Sequence, residues 1–224
     1  MPNIFYANCS NLSQEMINEL FITALPKRKK MYQTSFSLKR IVPSLLGDYL
    51  VRKIISNVNN IPFNQIDFEY TKYGKPLIKD VPNLHFNVSH SGCWVVVAFS
   101  NYRIGIDIEK VREVNLNIAD KFFSNFEKAL IIKEKHNKRH TFFKIWTLKE
   151  SYIKAIGSGL SKPLDSFSVI SNDGNLRFIK EYDEEFRLET FLVESDYYVS
   201  VCFNRQDHSV SINKLEGIKL TANK

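Results

Sequence analysis

Residues 104–110 read IGIDIEK, and the rest of the chain is interpreted outward from them. In an extended conformation the three isoleucines share one face, and Gly105, Asp107 and Glu109 share the other. The isoleucine face predicts a buried strand. The two carboxylates, roughly 6.5–7 Å apart along it, could hold a hard divalent cation. An ordinary half-exposed strand with a solvated acidic face fits the same seven residues, so the rest of the chain must decide.

The composition is that of a globular protein with a basic balance. Of 224 residues 44% are hydrophobic, and 31 Lys and Arg against 24 Asp and Glu give a formal net charge of +7. This charge favours an anionic partner: nucleic acid, a phosphorylated cofactor or an acidic protein. Three widely spaced cysteines suggest neither a disulfide framework nor a metal site. No signal peptide or membrane-length apolar run is present, so we expect a soluble cytoplasmic protein.

Two helices are predicted before the first strands. Ser13 can cap a helix that runs to about Leu25, and a second helix should start near Pro43, a favoured first helical residue. Between them lies the cluster KRKK (27–30), which suits an exposed loop or an anion site equally well.

From residue 66 the pattern changes to short extended pieces. They are IDFEY (66–70), LHFNVSH (84–90), WVVVAFS (94–100) and then IGIDIEK, with a YGKP turn at 73–76. Beyond them, Ser124 and Glu127 form an S-x-x-E capping box for a helix through about Lys133, and KEKHNKRH (133–140) reads as a loop.

The stretch FFKIWTLKESYIKAIG (142–157) predicts a helix ended by Gly157. Its apolar residues fall on one side, while Glu150 and Lys154 lie one turn apart at the edge of that side. The tail returns to strands with LDSFSVIS (164–171), an NDG turn (172–174), RFIKEY (177–182) and DYYVSVCFN (196–204).

Paired sequence echoes suggest two related halves. KPL occurs at 75–77 and 162–164, and WVVVAF resembles YYVSVCF. We therefore predict an α+β fold of two similar α/β halves, each a helix packed on a mostly antiparallel sheet, joined near Tyr102. The halves are residues 1–103 and residues 104–224, the second carrying the acidic strand.

Three polar stretches could form a site: NVSHSG (87–92), GIDIE (105–109) and KESYIK (149–154). Asp107, Glu109 and Glu150 would suit Mg²⁺, which prefers oxygen ligands and is commonly shared with phosphates. Lys154 could neutralise phosphate charge or protonate a leaving group. His90, in a Ser-His-Ser-Gly turn, is either an anion-binding residue or a structural histidine. No zinc spacing, nucleophile elbow or glycine-rich nucleotide loop occurs.

The order of four motifs resembles one enzyme family. GKPL (74–77), FNVSHSG (86–92), GIDIEK (105–110) and WTLKESYIKAIG (146–157) resemble the 4′-phosphopantetheinyl transferases of the larger surfactin-synthetase-activating (Sfp) type. LSQE (12–15), LLGDYLVRKIIS (45–56) and LSKPLDSFSV (160–169) extend the likeness over most of the chain. The smaller trimeric holo-acyl-carrier-protein synthases are about half this length and do not fit.

The resemblance implies a pseudo-twofold monomer that binds coenzyme A and Mg²⁺, or Mn²⁺, between its halves. It implies that Asp107, Glu109 and Glu150 ligate the metal and that Glu150 is also the base for a carrier-protein serine. Lys154 would stabilise or protonate the leaving adenosine 3′,5′-bisphosphate.

The coenzyme contacts implied by the resemblance lie on five segments. The residues are Lys27, Arg28, Lys30, Ser44, Lys75, Ser89, His90, Lys149 and Lys154, with Lys75 in the turn beside the adenine. The family usually places an arginine where this chain has Pro43, and Arg40, about one helical turn earlier, is a substitute candidate.

The resulting hypothesis is transfer of 4′-phosphopantetheine from coenzyme A to a serine of an apo peptidyl or acyl carrier protein. It implies a role in activating nonribosomal peptide or polyketide synthases, with no nucleic acid or membrane partner. Segment 111–126 is the candidate carrier-docking surface, although Phe122 and Phe123 fit a local core equally well. Two alternatives stay open: a non-catalytic factor that binds coenzyme A or a carrier protein, and a basic nucleic-acid-binding module.

Overall fold

The computed structural model describes residues 1–25, 29, 38–79, 81, 83–170, 176–179 and 185–215. Within them the helices are α1 (Gln14–Thr23), α2 (Leu38–Asn59), α3 (Ile118–Phe122), α4 (Asn125–Lys133) and α5 (Lys138–Ile156). The strands are β1 (Asn3–Asn8), β2 (Phe68–Tyr70), β3 (Pro76–Ile78), β4 (His85–Ser91), β5 (Trp94–Ser100), β6 (Ile104–Lys110), β7 (Ser168–Ile170), β8 (Leu176–Ile179), β9 (Phe186–Val193), β10 (Tyr197–Asn204) and β11 (Ser211–Lys214).

The larger strands form two sheets. The first has the order β11-β1-β5-β4 and the second the order β6-β10-β9; β2-β3 and β7-β8 are separate two-stranded ribbons. Among the described strands, every pairing is antiparallel except that of β1 with β11. The α+β fold with mostly antiparallel sheets is therefore as predicted.

The C-terminal boundary of the second half differs from the prediction. Strand β11 pairs in parallel with β1 in the first sheet, with Ser211 opposite Asn3 and Lys214 opposite Tyr6. The Met1 ammonium also lies 2.8 Å from the Asp207 carboxylate. Residues 211–214 thus belong to the N-terminal sheet, because the outer edge of β1 offers them backbone partners.

Three apolar clusters fill the space around the sheets. One lies between the first sheet and helices α1 and α2, and a second packs around α3, α4 and α5. The third lies between the two sheets and joins Trp94, Val96 and Ala98 of β5 to residues of β6 and β10. Because side chains alternate along a strand, Val95 and Val97 face the first cluster instead.

Strand β6 has the two predicted faces. Ile104, Ile106 and Ile108 are fully buried in the cluster between the sheets. On the other face, a Cβ atom on Gly105 would lie 2.0 Å from the Ser151 carbonyl oxygen and 2.3 Å from the Ala155 nitrogen. Glycine at this position is therefore what allows β6 and α5 to approach so closely.

The helix-end signals are confirmed. Ser13 accepts a hydrogen bond from the Met16 amide and caps α1. Ser124 and Glu127 form both hydrogen bonds of a capping box at the start of α4. Gly157, with φ of 69°, ends α5 in the left-handed conformation.

Two helix starts were predicted too late. Helix α2 includes Leu38, so Pro43 lies inside it and removes one backbone hydrogen bond near its first turns. Helix α5 begins at Lys138, which shortens the predicted KEKHNKRH loop. The predicted NDG turn at 172–174 lies outside the described residues. In the described part of the chain no helix is both long and apolar enough to span a bilayer.

Candidate active site

The facing edges of the two sheets are joined by serine side chains of β4 and carboxylates of β6. Ser89 Oγ donates a 2.7 Å hydrogen bond to Asp107 Oδ1, and Ser91 Oγ donates a 2.8 Å hydrogen bond to Glu109 Oε2. Ser91 Oγ also accepts from the Lys110 amide at 3.1 Å. Because Ser89 and Ser91 share one face of β4, the two-residue spacing of the acids on β6 is matched across the gap.

Asp107 lies in the most unusual environment of the site. Its Oδ1 also accepts a 2.6 Å hydrogen bond from Lys154 Nζ, whereas its buried Oδ2 has no hydrogen-bond partner among the residues that the structure describes. Burial raises the pKa of Asp107, since desolvation outweighs the opposing effects of Lys154 and Ser89, and repulsion from Glu109 adds to the rise. The alternative of a solvated acidic face is thus wrong for this residue, which is 5% exposed.

Glu150 completes a group of three electrostatically coupled acids. It lies on α5, one turn before Lys154, and is partly buried. Burial raises the pKa of Glu150, and repulsion from Asp107 and then Glu109 contributes in the same direction. Carboxylates from segments more than 40 residues apart therefore lie close enough to repel one another. Such a group of acids favours the binding of a cation or of a proton.

The donor set fits a hard divalent cation, although the side chains are not gathered around one point. Among the residues that the structure describes, no group of three or more His, Cys, Asp or Glu side chains is arranged to hold a metal ion. Asp107 Oδ2 is buried and has no hydrogen-bond partner in the described part of the chain, so it is an available oxygen ligand, and Glu109 and Glu150 are the acids coupled to Asp107. Metal ligation by these three residues stays a prediction.

Ser44 and His90, two residues predicted to contact the coenzyme, lie together. Ser44 Oγ of α2 is 3.0 Å from His90 Nε2 of β4. His90 is exposed, and by strand alternation it projects from the opposite face to Ser89. The described residues do not include the other basic candidates Lys27, Arg28 and Lys30, nor the side chain of Arg40.

Lys149 does not face the site, and its prediction as a coenzyme contact is wrong. Its side chain is fully buried, and Nζ lies 2.8 Å from Glu127 Oε2. Nζ also donates hydrogen bonds to the carbonyl oxygens of Leu164 and Phe167. Successive helical residues point about 100° apart, so Lys149 is directed into the core while Glu150 is directed to the site.

Glu127 is a buried residue whose role the sequence did not reveal. Besides Lys149, it accepts hydrogen bonds from the amides of Ser124 at 3.0 Å and Val169 at 2.9 Å. The capping-box pattern indicated the first of these contacts but not the burial. The Glu127–Lys149 pair therefore links α4, α5 and β7 behind the site.

A cavity of about 270 Å³ opens beside the acids. Its walls include the turn Tyr73–Pro76, Asn87, Glu150 and Lys154. The predicted coenzyme turn therefore borders the acidic site, although the Lys75 ammonium itself donates hydrogen bonds to backbone carbonyl oxygens.

The predicted docking segment 111–126 contains core residues as well as surface. Phe123 is fully buried, and the Phe122 ring contacts Trp146 edge-on with centroids 5.7 Å apart. Ile118, by contrast, is 38% exposed. The core interpretation therefore holds for Phe123, and carrier docking on this segment stays a prediction.

Two family models match this chain. One, described as the 4′-phosphopantetheinyl transferase superfamily, matches residues 103–202, and the other, described as 4′-phosphopantetheinyl transferase, N-terminal, matches residues 14–101. Together they cover both halves and include the β4, β6 and α5 residues of the site.

Three similar proteins are all named as phosphopantetheinyl transferases, and two of them match over about nine tenths of their length. The 4′-phosphopantetheinyl transferase ffp of Bacillus subtilis is 39% identical over 207 residues, covering 91% of this chain and 92% of that protein. The 4′-phosphopantetheinyl transferase Sfp of Bacillus subtilis strain 168 is 40% identical over 200 residues, covering 88% and 89%. The human L-aminoadipate-semialdehyde dehydrogenase-phosphopantetheinyl transferase is 29% identical, covering 74% of this chain and 62% of that protein.

The chain belongs to the 4′-phosphopantetheinyl transferases. Its similarity to Sfp and ffp over about nine tenths of each chain confirms the resemblance to the larger, Sfp-type members.

Proposed function

We propose that this enzyme transfers 4′-phosphopantetheine from coenzyme A to a serine hydroxyl of an apo carrier protein and releases adenosine 3′,5′-bisphosphate. The observation that carries the proposal is the meeting of Asp107, Glu150 and Lys154 beside the cavity bordered by the Tyr73–Pro76 turn. An anionic ligand bound in that cavity would lie close to the Lys154 ammonium and to the group of acids at the same time.

Glu150 is the residue suited to accept the serine proton. Its raised pKa makes it a stronger base than an exposed glutamate, and it faces the cavity. Lys154 carries the positive charge nearest the acids and can bind the phosphate oxygens of the leaving nucleotide. No covalent enzyme nucleophile is required, because positioning and electrostatics supply most of the catalysis in phosphoryl chemistry.

We further propose that Asp107, Glu109 and Glu150 hold Mg²⁺, with Mn²⁺ as an alternative. When bound, such a cation supplies charge neutralisation at the pyrophosphate. The protein's own contribution is that hydrogen bonds from Ser89 and Lys154 favour the charged form of Asp107, and that Ser91 and Arg112 hold Glu109 in place.

His90 and Ser44 would bind coenzyme A phosphate oxygens at the α2–β4 contact. Ser44 Oγ lies 3.0 Å from His90 Nε2, so the serine hydroxyl orients the exposed imidazole. Ser89 is already committed to Asp107, so we assign it to support of the acid. Lys27, Arg28, Lys30 and Arg40 stay predictions for the coenzyme.

The carrier protein is proposed to be acidic. The net charge of +7 favours an acidic protein as well as the polyanionic coenzyme. Peptidyl and acyl carrier domains are both candidates, and we propose a role in activating nonribosomal peptide or polyketide synthases, with the enzyme acting as a cytoplasmic monomer. The acids and the ammonium of the site all lie on one chain, which is consistent with a monomer.

The direct test is the intact mass of an apo peptidyl and an apo acyl carrier protein after incubation with the enzyme, coenzyme A and Mg²⁺. We expect a mass gain of one phosphopantetheine on the serine, lost when EDTA replaces Mg²⁺. Coenzyme A binding without any mass gain on either carrier would instead support a non-catalytic binding factor. Salt-sensitive binding to oligonucleotides without coenzyme binding would support the nucleic-acid alternative.

A further inference from the structure

The Lys75 side chain is partly buried, and among the described residues its ammonium binds carbonyl oxygens of segment 104–224. Its Nζ donates to the carbonyl oxygens of Ile104 at 3.1 Å, Lys154 at 2.5 Å and Ala155 at 3.2 Å. Burial lowers the pKa of Lys75 to about 8, with a smaller contribution from Arg103. A lysine expected beside the nucleotide thus uses its ammonium within the protein.

Two of the three acceptors lie in the last turn of α5. The final four carbonyls of a helix have no amide partner within it, and a cation at the C-terminus also interacts favourably with the helix dipole. The Lys75 ammonium satisfies two of these groups, those of Lys154 and Ala155. The third acceptor, the Ile104 carbonyl, is at the start of β6.

The turn that carries Lys75 is itself well defined. The Thr71 amide donates to the Lys75 carbonyl at 2.9 Å, and the Lys75 amide donates to Thr71 Oγ1 at 3.1 Å. A Cβ atom on Gly157, the residue that ends α5, would lie 3.3 Å from Lys75 Cδ, so the methylene stem packs over the helix end. One turn of the N-terminal half therefore holds the C-terminal end of α5.

We propose that Lys75 is a positioning residue, whose ammonium fixes the last turn of α5 against the start of β6. The residue placed by this contact is Lys154, since Lys75 binds its carbonyl while the Lys154 ammonium binds Asp107 and Ser89. The turn that carries Lys75 also lines the cavity. The segment that a bound ligand would contact therefore also sets the position of the Lys154 ammonium. The consequence for turnover rests on the proposed transfer reaction.

The test compares Lys75→Met, which keeps the stem but removes the ammonium, with Lys72→Met. Lys72 is exposed in the same turn, and its Nζ lies over the Tyr73 ring at 4.7 Å, so its substitution removes the same charge without touching α5. With coenzyme A and a carrier protein, we expect Lys75→Met to lower kcat by about 10- to 100-fold, as a misplaced catalytic group does. We expect KM for coenzyme A to change by less than about threefold, and Lys72→Met to match wild type on both measures.

A different pattern of changes in kcat and KM would overturn the proposal. A large rise in KM for coenzyme A with unchanged kcat would show that the Lys75 ammonium contacts the ligand directly. Unchanged kcat and KM would show that the contact has no influence on Lys154.

Hydrogen exchange separates this inference from the proposed reaction. In the ligand-free enzyme, we expect peptides covering 150–157 to exchange faster in Lys75→Met than in wild type and Lys72→Met, with no change in peptides of β9. This result does not require any transfer activity, so it stands even if no carrier protein gains mass. Equal exchange in all three proteins would refute the positioning role. If Lys75→Met fails to fold, Lys75→Gln, which retains one donor group, provides the same comparison.

Discussion

Ser89 Oγ and Asp107 Oδ1 are joined by a 2.7 Å hydrogen bond that connects the N-terminal sheet to the C-terminal sheet at the centre of the site. The contact is buried, and among the described residues Asp107 is the one of the three acids with a buried oxygen that lacks a hydrogen-bond partner. A serine hydroxyl thus helps to keep a buried carboxylate charged, which burial by itself disfavours.

Ser89→Ala removes that hydrogen bond. We expect the free energy of unfolding to fall by about 1–3 kcal/mol, since a buried acceptor loses one of its donors. Urea denaturation measures the change. Val88→Ala is the control, since Val88 is the neighbouring residue on the opposite face of β4. It tests whether a smaller side chain on this strand is by itself enough to change the pKa of Asp107. We expect only Ser89→Ala to raise the pKa of Asp107, and an unchanged pKa in that variant would contradict the role of Ser89.

The Glu127–Lys149 pair provides a stability prediction. Both side chains are fully buried, with Nζ 2.8 Å from Oε2. Lys149→Met leaves Glu127 as an uncompensated buried charge, and we expect a loss of about 3–5 kcal/mol in the free energy of unfolding. Calorimetry or urea denaturation would measure it.

The exposed pair of Lys110 and Asp196 serves as the control. Its charged atoms are 3.4 Å apart and its side chains are 48% and 43% exposed, so Lys110→Met should cost less than about 1 kcal/mol. Equal stability losses in Lys149→Met and Lys110→Met would contradict the buried-pair account. A stable Lys149→Met variant with weakened coenzyme A binding would restore the ligand role that the structure argues against.

The raised pKa of Glu150 predicts a pH dependence of stability. At a pH between the pKa of Glu150 in the unfolded chain and its raised pKa in the folded protein, the folded protein binds more protons than the unfolded chain. The free energy of unfolding therefore falls as the pH rises through the folded pKa. Glu150→Gln removes this titration. In EDTA and at a pH above the folded pKa of Glu150, we expect the Glu150→Gln variant to be more stable than wild type. This difference in stability should decrease towards acidic pH.

Glu134→Gln should behave in the opposite way. Backbone hydrogen bonds from His136 and Asn137 lower the pKa of the exposed Glu134, so its contribution to stability is present above the unfolded pKa and is lost as the pH falls through the folded pKa. Urea midpoints across the pH range compare the two variants. A stability difference for Glu150→Gln that does not vary with pH would exclude the raised pKa.

Gly105→Ala tests the close approach of β6 and α5. The added Cβ would lie 2.0 Å from a backbone oxygen of α5, and we expect a loss of more than about 3 kcal/mol or failure to fold, because backbone cannot move aside as a side chain can. Gly74→Ala is the comparison, since nothing lies within 4 Å of its Cβ position and only its positive φ of 83° adds strain. A smaller thermal shift for Gly105→Ala than for Gly74→Ala would contradict this packing.

Local patterns predicted the parts of the fold that depend on neighbouring residues. Alternation identified the two faces of β6, and the caps at Ser13 and Ser124 gave helix starts, because each signal lies within a few residues of its structural consequence. Strand β11 was missed, since its pairing with β1 joins residues about 208 positions apart, from Ser211 to Asn3. Nothing in the four residues of this strand indicates a partner near the opposite end of the chain.

The sequence indicated that the three acids and Lys154 lie near one another, but not the directions of the Lys75 and Lys149 side chains. Asp107, Glu109 and Glu150 are electrostatically coupled as their motifs suggested. Lys75 and Lys149 are long side chains whose direction depends on partners elsewhere in the chain. A motif gives the position of a lysine in the chain, whereas burial and acceptors determine where its ammonium lies.

The most direct test of the central claim is the initial rate of carrier-protein modification by wild type, Glu150→Gln and the surface control Glu134→Gln. Rates are measured by intact mass at saturating coenzyme A and Mg²⁺, with thermal unfolding confirming that each variant is folded. We expect wild type and Glu134→Gln to modify the carrier at similar rates and Glu150→Gln to be slower by at least about 100-fold. A Glu150→Gln rate within about twofold of wild type would contradict the assignment of this acidic site as the catalytic centre.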